Sequence, residues 1–183
     1  TYQQDFNAFL GTQVSVGTHL PGWTVSVGNF VGRGCGSATN GGAYAFGSGS
    51  DYALGYLPSS TVSSFTARVT FINNTGAAIT ELDISYMYEN WRWESRTNGF
   101  TVTSNAGNVS SLNHTAPSGS GNCNGNANAV LKSVSLNGLN IANGSTFYIE
   151  WKSDRGGGSG SSRGIAIDDL TVVAKNAAVV CTV

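Results

Sequence analysis

The sequence has little charge. Only 10% of its 183 residues are Asp, Glu, Lys or Arg, and the formal net charge is -1, whereas charged residues make up about 25% of an average globular protein. Lysine and arginine are scattered along the chain. The sequence therefore lacks the basic surface that neutralises phosphates, and we expect no nucleic-acid partner. Water solubility must depend instead on hydroxyl and amide side chains.

Long hydrophobic runs are also missing. No apolar run approaches the roughly 18 residues that span a bilayer, so the sequence predicts no membrane span. Apolar residues at helical spacing do not occur over a useful length. The chain begins at Thr1 without a Met or a charged leader, and we expect a mature, processed or trimmed chain. Its length allows one domain with a substantial core.

Cysteine is scarce, and its placement is informative. Cys35 and Cys123 lie in two Gly- and Asn-rich segments of similar character, whereas Cys181 lies in an apolar tail. We expect a disulfide between Cys35 and Cys123, with the two other pairings or three reduced thiols as alternatives.

The composition suits a secreted protein, because lysine is rare and the polar segments are long. Four Asn-X-Ser/Thr sequences permit glycosylation, although so Asn-rich a chain also produces them by chance. They begin at Asn73, Asn108, Asn113 and Asn143.

Alternation with a period of two is the dominant pattern. In residues 64–71, Phe65, Ala67, Val69 and Phe71 point one way and the polar residues between them point the other, as in a half-buried strand. Asn-Gly pairs between such runs are typical of tight hairpin turns. About ten short strands predict an all-β, two-sheet antiparallel sandwich of the jelly-roll kind. We place this single domain at 1–174 and expect 175–183 to be a tail, a linker or a strand that pairs with a neighbour.

Two adjacent carboxylates, Asp168 and Asp169, lie inside an apolar run. Strict alternation groups Asp168 with Ala166, Leu170 and Val172, so one carboxylate points with the core set whichever face is buried. A buried carboxylate needs hydrogen bonds from backbone amides, an arginine or a cation. Calcium accepts six to eight oxygen ligands and is one such cation.

The run GIAIDDLTVVA (164–174) resembles the last strand of MAM domains and of jelly-roll carbohydrate-binding modules, and YQQDFNAF (2–9) is similar to their first strand. Other segments, including FINNTGAAITELDISYMYENWR, resemble secreted bacterial cell-surface modules. The resemblance implies a structural Ca²⁺ held by Asp168 together with Asp5. Asn7 stands where a glutamate is expected, which weakens the charge balance of that site.

The segment YMYENWRWESR (86–96) is the densest functional candidate. In a regular strand two indoles lie in line beside a carboxylate, so that sugar C–H groups stack on the rings while polar side chains bind the hydroxyls. We predict a glycan-binding set of Trp91, Trp93, Glu89, Arg92 and Asn90. The alternative is that the aromatic residues belong to the core and that Glu89 and Arg92 form a structural ion pair.

Catalytic motifs are weak. A G-x-S-x-G pattern at 160–164 precedes a strand instead of a helix, so we do not expect a nucleophile elbow. Carboxylate pairs such as Glu81 with Asp83, or Glu89 with Glu94, are possible for glycoside hydrolysis but incomplete for a sandwich-fold glucanase.

The sequence thus favours a non-catalytic, extracellular carbohydrate-binding or adhesive module whose partner is a glycan or a cell-surface polysaccharide. One alternative is a subunit of a surface layer or filament that self-associates when a terminal segment, AAVVCTV or TYQQDF, pairs with an edge strand of the next copy. A second alternative is a glycoside hydrolase of sandwich fold.

Overall fold

Two β-sheets packed face to face form the protein in the computed structural model. The structure describes residues 1–8, 20–27, 30–34, 40–115 and 123–176, with the backbone alone for 30–34 and 48. The strands are β1 (Tyr2–Gln4), β2 (Trp23–Val25), β3 (Phe30–Gly34), β4 (Gly42–Ser48), β5 (Asp51–Leu57), β6 (Ser64–Ile72), β7 (Ile79–Arg92), β8 (Gly99–Ser104), β9 (His114–Thr115), β10 (Val130–Ile141), β11 (Thr146–Asp154) and β12 (Gly164–Asn176). Short 3₁₀ turns lie at Ser110–Leu112 and Asn126–Asn128.

The first sheet has the order β10-β7-β12-β5-β4-β3, and β1 pairs with β12; the second has the order β2-β6-β11-β8-β9. Every described strand pair is antiparallel except β3 with β4, which is parallel. The predicted two-sheet sandwich is confirmed. β12 continues to Asn176, two residues beyond the predicted end of the domain, and 177–183 lie outside the described residues.

The period-two alternation sorts the side chains between a shared core and the outer faces. Phe65, Ala67 and Val69 of β6 are buried in the core as the pattern predicts, because successive strand residues point to opposite faces. On the inner face of the second sheet the indoles of Trp23 and Trp151 stack with their ring centroids 5.6 Å apart, and the ring of Tyr86 from the first sheet meets Trp151 edge-on at 5.6 Å. Burial of such large rings is the main stabilising contribution to a sandwich of this kind.

A β-bulge at Asp168 and Asp169 breaks the alternation of β12. The register changes from Asp168 opposite Met87 to Thr171 opposite Ser85, and Asp169 has a left-handed backbone with a φ of 47°. The prediction that Asp168 shares a face with Leu170 is therefore wrong: Leu170 belongs to the main core. An extra residue in one strand reverses the facing of everything beyond it, so both ends of β12 place apolar side chains in the core while Asp168 faces outward.

The N-terminal segment is paired within the chain. Tyr2, Gln3 and Gln4 form an antiparallel ladder with β12. These three residues of TYQQDF therefore already pair with a strand of the same chain. The other proposed donor, AAVVCTV, lies outside the described residues. The β10 edge is partly covered, since the Ser111 hydroxyl donates to the Ser133 carbonyl oxygen at 3.1 Å. Self-association through terminal strands stays a prediction.

Asn73 fastens the turn after β6 to the end of β10. It is 2% exposed, and its Nδ2 donates to the carbonyl oxygens of Ala77 and Ile141 at 2.8 and 2.7 Å. We expect Asn73→Ala to lower the free energy of unfolding by about 2–3 kcal/mol, because buried carbonyl groups lose their partners. Urea unfolding measures the loss. The exposed neighbour provides the control: Asn74→Ala should change stability by less than about 0.5 kcal/mol, and equal losses would contradict the assignment.

Candidate functional site

The outward face of the first sheet carries a transverse row of polar side chains. Gln3 lies opposite Thr171, Thr171 opposite Ser85, and Ser85 opposite Ser133. We call these four residues the hydroxyl row. Because neighbouring strands are about 4.8 Å apart, four strands spread these groups over about 14 Å. The row presents hydroxyl and amide groups, each able to donate and to accept a hydrogen bond, along one line on a rigid sheet.

Two adjoining cavities follow the row. The larger is about 490 Å³, and the smaller, about 380 Å³, lies between β1 and the bulge of β12. Thr171 lines both, and together they form what we call the outer-face groove. The larger cavity is lined by Asp83, Ile84, Ser85, Ser133, Val134, Ser135, Thr171 and Val173; the smaller by Gln3, Gln4, Asp5, Asp169, Leu170 and Thr171.

An apolar strip borders the hydroxyl row. In the next row of the sheet Leu131 lies opposite Met87, and Met87 lies opposite Asp168. Leu131 is 64% exposed. An apolar side chain next to hydroxyl groups can cover the C–H face of a polar ligand while the hydroxyl groups bind the oxygen atoms of that ligand.

Carboxylates are concentrated where β12 bulges. Burial, and after it the nearby charges of Glu89, Asp169 and Asp51, raise the pKa of Asp168 to about 8, although the hydrogen bond from the Asp169 amide opposes the rise. Burial likewise raises the pKa of Glu89 to about 7, against the hydrogen bond from Trp91. The pKa of Asp169 is also raised, by burial and then by Asp51 and Asp5. This acidic cluster needs protons or a cation at neutral pH.

The predicted calcium ligands fit that need in charge but are not arranged as a coordination shell. Asp168 Oδ1 accepts the Asp169 N–H at 2.8 Å, Asn7 Oδ1 accepts the Tyr52 N–H at 2.7 Å, and Asp5 Oδ1 accepts the Asn7 N–H at 3.2 Å. Within the described ranges no three His, Cys, Asp or Glu side chains converge on one point. Calcium binding by Asp5, Asn7 and Asp168 stays a prediction.

The predicted pair of in-line tryptophans does not form an open platform. Trp91 is 2% exposed and belongs to a small second core on the outward face, where its ring stacks on Phe46 at 6.5 Å. Its Nε1 donates to Glu89 Oε2 at 2.6 Å. Gly125 lies so close that an added Cβ would stand 2.1 Å from the indole. Trp91 is thus covered, and the core interpretation of this residue is correct.

The remaining residues of the predicted glycan-binding set are separated by the end of β7. β7 ends at Arg92, so Trp93 does not continue the face of Trp91. Arg92 pairs with Glu94 at 2.7 Å, and the Arg163 guanidinium lies 5.6 Å from the centroid of the Trp93 ring. Glu89 and Asn90 are both buried. Trp93 and Arg92, both partly buried, are the least buried members of the set.

The hydroxyl row is not identifiable from the sequence alone. Its members come from four strands far apart in the chain, and the bulge of β12 decides which residue of that strand faces outward. One signal was present: Asp83, Ser85 and Met87 are the outward positions of an alternating strand. That pattern predicts an outward face, but the register that aligns it with Thr171 and Ser133 is a tertiary property.

The predicted disulfide joins Cys123 to Cys35, and Cys35 lies outside the described residues. Cys123 has a left-handed backbone with a φ of 63°, and its N–H donates to the Trp91 carbonyl oxygen at 3.0 Å. The segment that covers Trp91 is therefore anchored next to this cysteine. The pairing of Cys35 with Cys123 stays a prediction.

In all four glycosylation sequences the asparagine side chain accepts a backbone hydrogen bond. Asn73 is buried and both ends of its amide are used, so its side chain is not accessible in the folded chain. Asn113 accepts the Val102 N–H at 2.7 Å through Oδ1 and is exposed.

Among the described residues, no helix has the length and apolar character to cross a membrane.

No protein-family model and no curated protein sequence matches this chain. Similar solved structures include a carbohydrate-binding module described for specific mannan recognition, with 12% identity, a TM-score of 0.48 and coverage of 96% of this chain and 97% of that one. A family 22 carbohydrate-binding module of Clostridium thermocellum Xyn10B has 10% identity, a TM-score of 0.45 and coverage of 93% and 97%. The active domain of tailspike protein 4 of bacteriophage CBA120 has 12% identity and a TM-score of 0.46; the match covers 90% of this chain and 21% of that one. At these values the similarities establish neither a family nor a ligand, and the MAM resemblance stays a prediction.

Proposed function

We propose that this protein is a non-catalytic extracellular module that binds a carbohydrate chain along the outer-face groove. The observation that carries the proposal is the hydroxyl row, which crosses four strands along two adjoining cavities. Ser85, Ser133 and Thr171 offer hydroxyl groups and Gln3 offers an amide. Such groups match sugar hydroxyls, which also both donate and accept hydrogen bonds.

The surroundings of the row suit a sugar ring. Leu131 and Met87 offer apolar surface on one side, and Asp83, whose side chain is partly exposed, offers a charged acceptor on the other. Hydrogen bonds to charged acceptors are stronger than those between neutral groups. Because all these side chains stand on paired strands, the groove is preformed, and little ordering is needed on binding.

The carboxylate pairs that the sequence offers for hydrolysis, Glu81 with Asp83 and Glu89 with Glu94, are engaged within the chain. Glu81 and Asp83 both pair with Lys175 at 2.5 and 2.6 Å, Glu94 pairs with Arg92, and Glu89 is covered together with Trp91. A glycosidase needs two accessible carboxyl groups that flank the scissile bond. A reducing-sugar assay on the polysaccharide that binds best tests this part of the proposal, and sugar release by the purified chain would contradict it.

A glycan microarray followed by calorimetry tests binding. We expect the double variant Ser85→Ala, Thr171→Val to lose at least about tenfold in affinity for the best glycan, because each substitution removes a hydroxyl from the centre of the groove. Thr70→Val is the matched control, since Thr70 is an exposed strand residue on the outward face of the other sheet, and it should bind as the native chain does. The proposal fails if no glycan binds, or if both variants bind equally well.

A further inference from the structure

The acidic residues are distributed unequally between the two faces of the sandwich. Seven of the ten in the sequence lie on or beside the outer-face groove. Five of them interact electrostatically around the β12 bulge, and two stand at the opposite end of the groove, where Lys175 binds both. The seven are Asp5, Asp51, Glu81, Asp83, Glu89, Asp168 and Asp169.

The basic side chains that the structure describes do not balance this charge. Among the ion pairs between described residues, Lys175 supplies the only cation that pairs with any of the seven. On the outward face of the other sheet the balance is reversed, because Arg68 and Lys152 both pair with the single carboxylate of Glu150, at 2.5 and 2.9 Å. Even though Asp168 keeps its proton up to about pH 8 and Glu89 is buried, the described side chains on this face are more acidic than basic, and Asp5, Asp83 and Asp169 line the groove itself.

Lys175 shows how two of these carboxylates bind an ammonium group. Its ammonium group lies between the carboxylates of Glu81 and Asp83 on the strand next to its own. An amino group on a ligand could make the same contacts with other carboxylates of the groove. A carboxylate or sulfate on a ligand would instead lie within about one Debye length, roughly 10 Å at 0.1 M salt, of several like charges.

We infer that the outer-face groove selects glycans without anionic groups, and that free amino groups on the sugar strengthen binding at low ionic strength. This inference rests on the proposed function, because it names the class of glycan that the same groove accepts. Charge of one sign along a binding surface determines specificity by rejecting like-charged ligands as much as by attracting others.

Three hexasaccharides with the same β-1,4-linked gluco backbone test the inference: cellohexaose, the hexamer of glucosamine, and cellohexaose oxidised to carboxylate at C6. Affinities are measured by calorimetry at 20 and 200 mM NaCl with EDTA present, so that no divalent cation bridges two carboxylates. At 20 mM salt we expect the amino probe to bind best and the carboxylate probe worst, with at least about tenfold between them. At 200 mM salt the difference should shrink because the charges are screened.

Two variants test whether the preference for the amino probe depends on the charge of the groove and not on its shape. Lys175→Gln should widen the preference for the amino probe by about threefold or more, because Glu81 and Asp83 lose their cation. Asp154→Asn, an exposed carboxylate at the end of β11 in the other sheet, should leave the preference unchanged. Equal or tighter binding of the carboxylate probe at 20 mM salt overturns the inference while the proposed function stands. If none of the three probes and no microarray glycan binds, the proposed function itself fails.

Discussion

The Asp168→Asn variant should be more stable than the native chain at pH 8 and no more stable at pH 4. Asp168 is 4% exposed, and the pKa of its carboxyl group rises from an ordinary value of 3.8 to about 8 in the folded chain. Between those two pH values the folded chain keeps a proton that the unfolded chain has released. The free energy of unfolding must then fall as the pH rises from about 4 to about 8.

Asparagine removes this pH dependence. It keeps an oxygen that can accept the Asp169 N–H but carries no charge at any pH. Since one pKa unit corresponds to about 1.4 kcal/mol, we expect a gain of about 2–4 kcal/mol at pH 8, which raises the Tm by roughly 5–15 °C. The gain should be smaller at pH 6 and absent at pH 4. Thermal unfolding in EDTA at the three pH values measures it.

Asp154→Asn serves as the control, because Asp154 is exposed and its variant should show no comparable gain as the pH rises. A gain for Asp168→Asn of the same size at pH 4 and pH 8 would contradict the electrostatic explanation. The same experiment with added calcium tests the predicted metal site: a site that includes Asp168 requires calcium to raise the Tm of the native chain and to have a smaller effect on the variant.

Trp91→Ala should destabilise the fold by about 3–5 kcal/mol, the usual cost of removing a large buried ring. The substitution empties the space next to Phe46 and leaves the buried Glu89 carboxyl without its indole donor. Gly125, which now packs against the indole, would lose its contact. Urea unfolding measures the loss of stability, and near-UV circular dichroism reports the loss of aromatic packing.

Trp93→Ala is the matched control, because Trp93 is only half-buried and lies beyond the end of β7. It should cost clearly less stability than Trp91→Ala. If Trp91→Ala instead kept the stability of the native chain and abolished glycan binding, the indole would be a ligand-stacking surface and the buried position found here would be wrong.

The proposals for the groove and for its charge connect through the same bulge. Asp169 adopts a left-handed backbone at the point where β1 replaces β5 as the neighbour of β12. The bulge turns Thr171 outward into the hydroxyl row and holds two carboxylates beside it. Such irregularities are found next to functional sites because they redirect side chains that regular pairing would bury.

The sequence by itself determined the sandwich. Alternation in β6, β7 and β11 and the turn signals between them are local patterns, and a period of two leaves each strand with one apolar face that must be covered. It also determined that a carboxylate in the last strand would need a partner. These conclusions require only neighbouring residues, so they could be drawn before any strand was placed beside another.

Only the tertiary structure decided which residues form the candidate site. The cover over Trp91 comes from Gly125, more than thirty residues away in the chain, and the bulge in β12 appears only against the register of β7. Both features depend on which strands become neighbours, and a shift of one residue exchanges the buried and exposed faces of a strand. For that reason Tyr86, Tyr88 and Trp91 of the aromatic segment are buried, and the groove lies along Ser85, Ser133 and Thr171, which no local pattern distinguished.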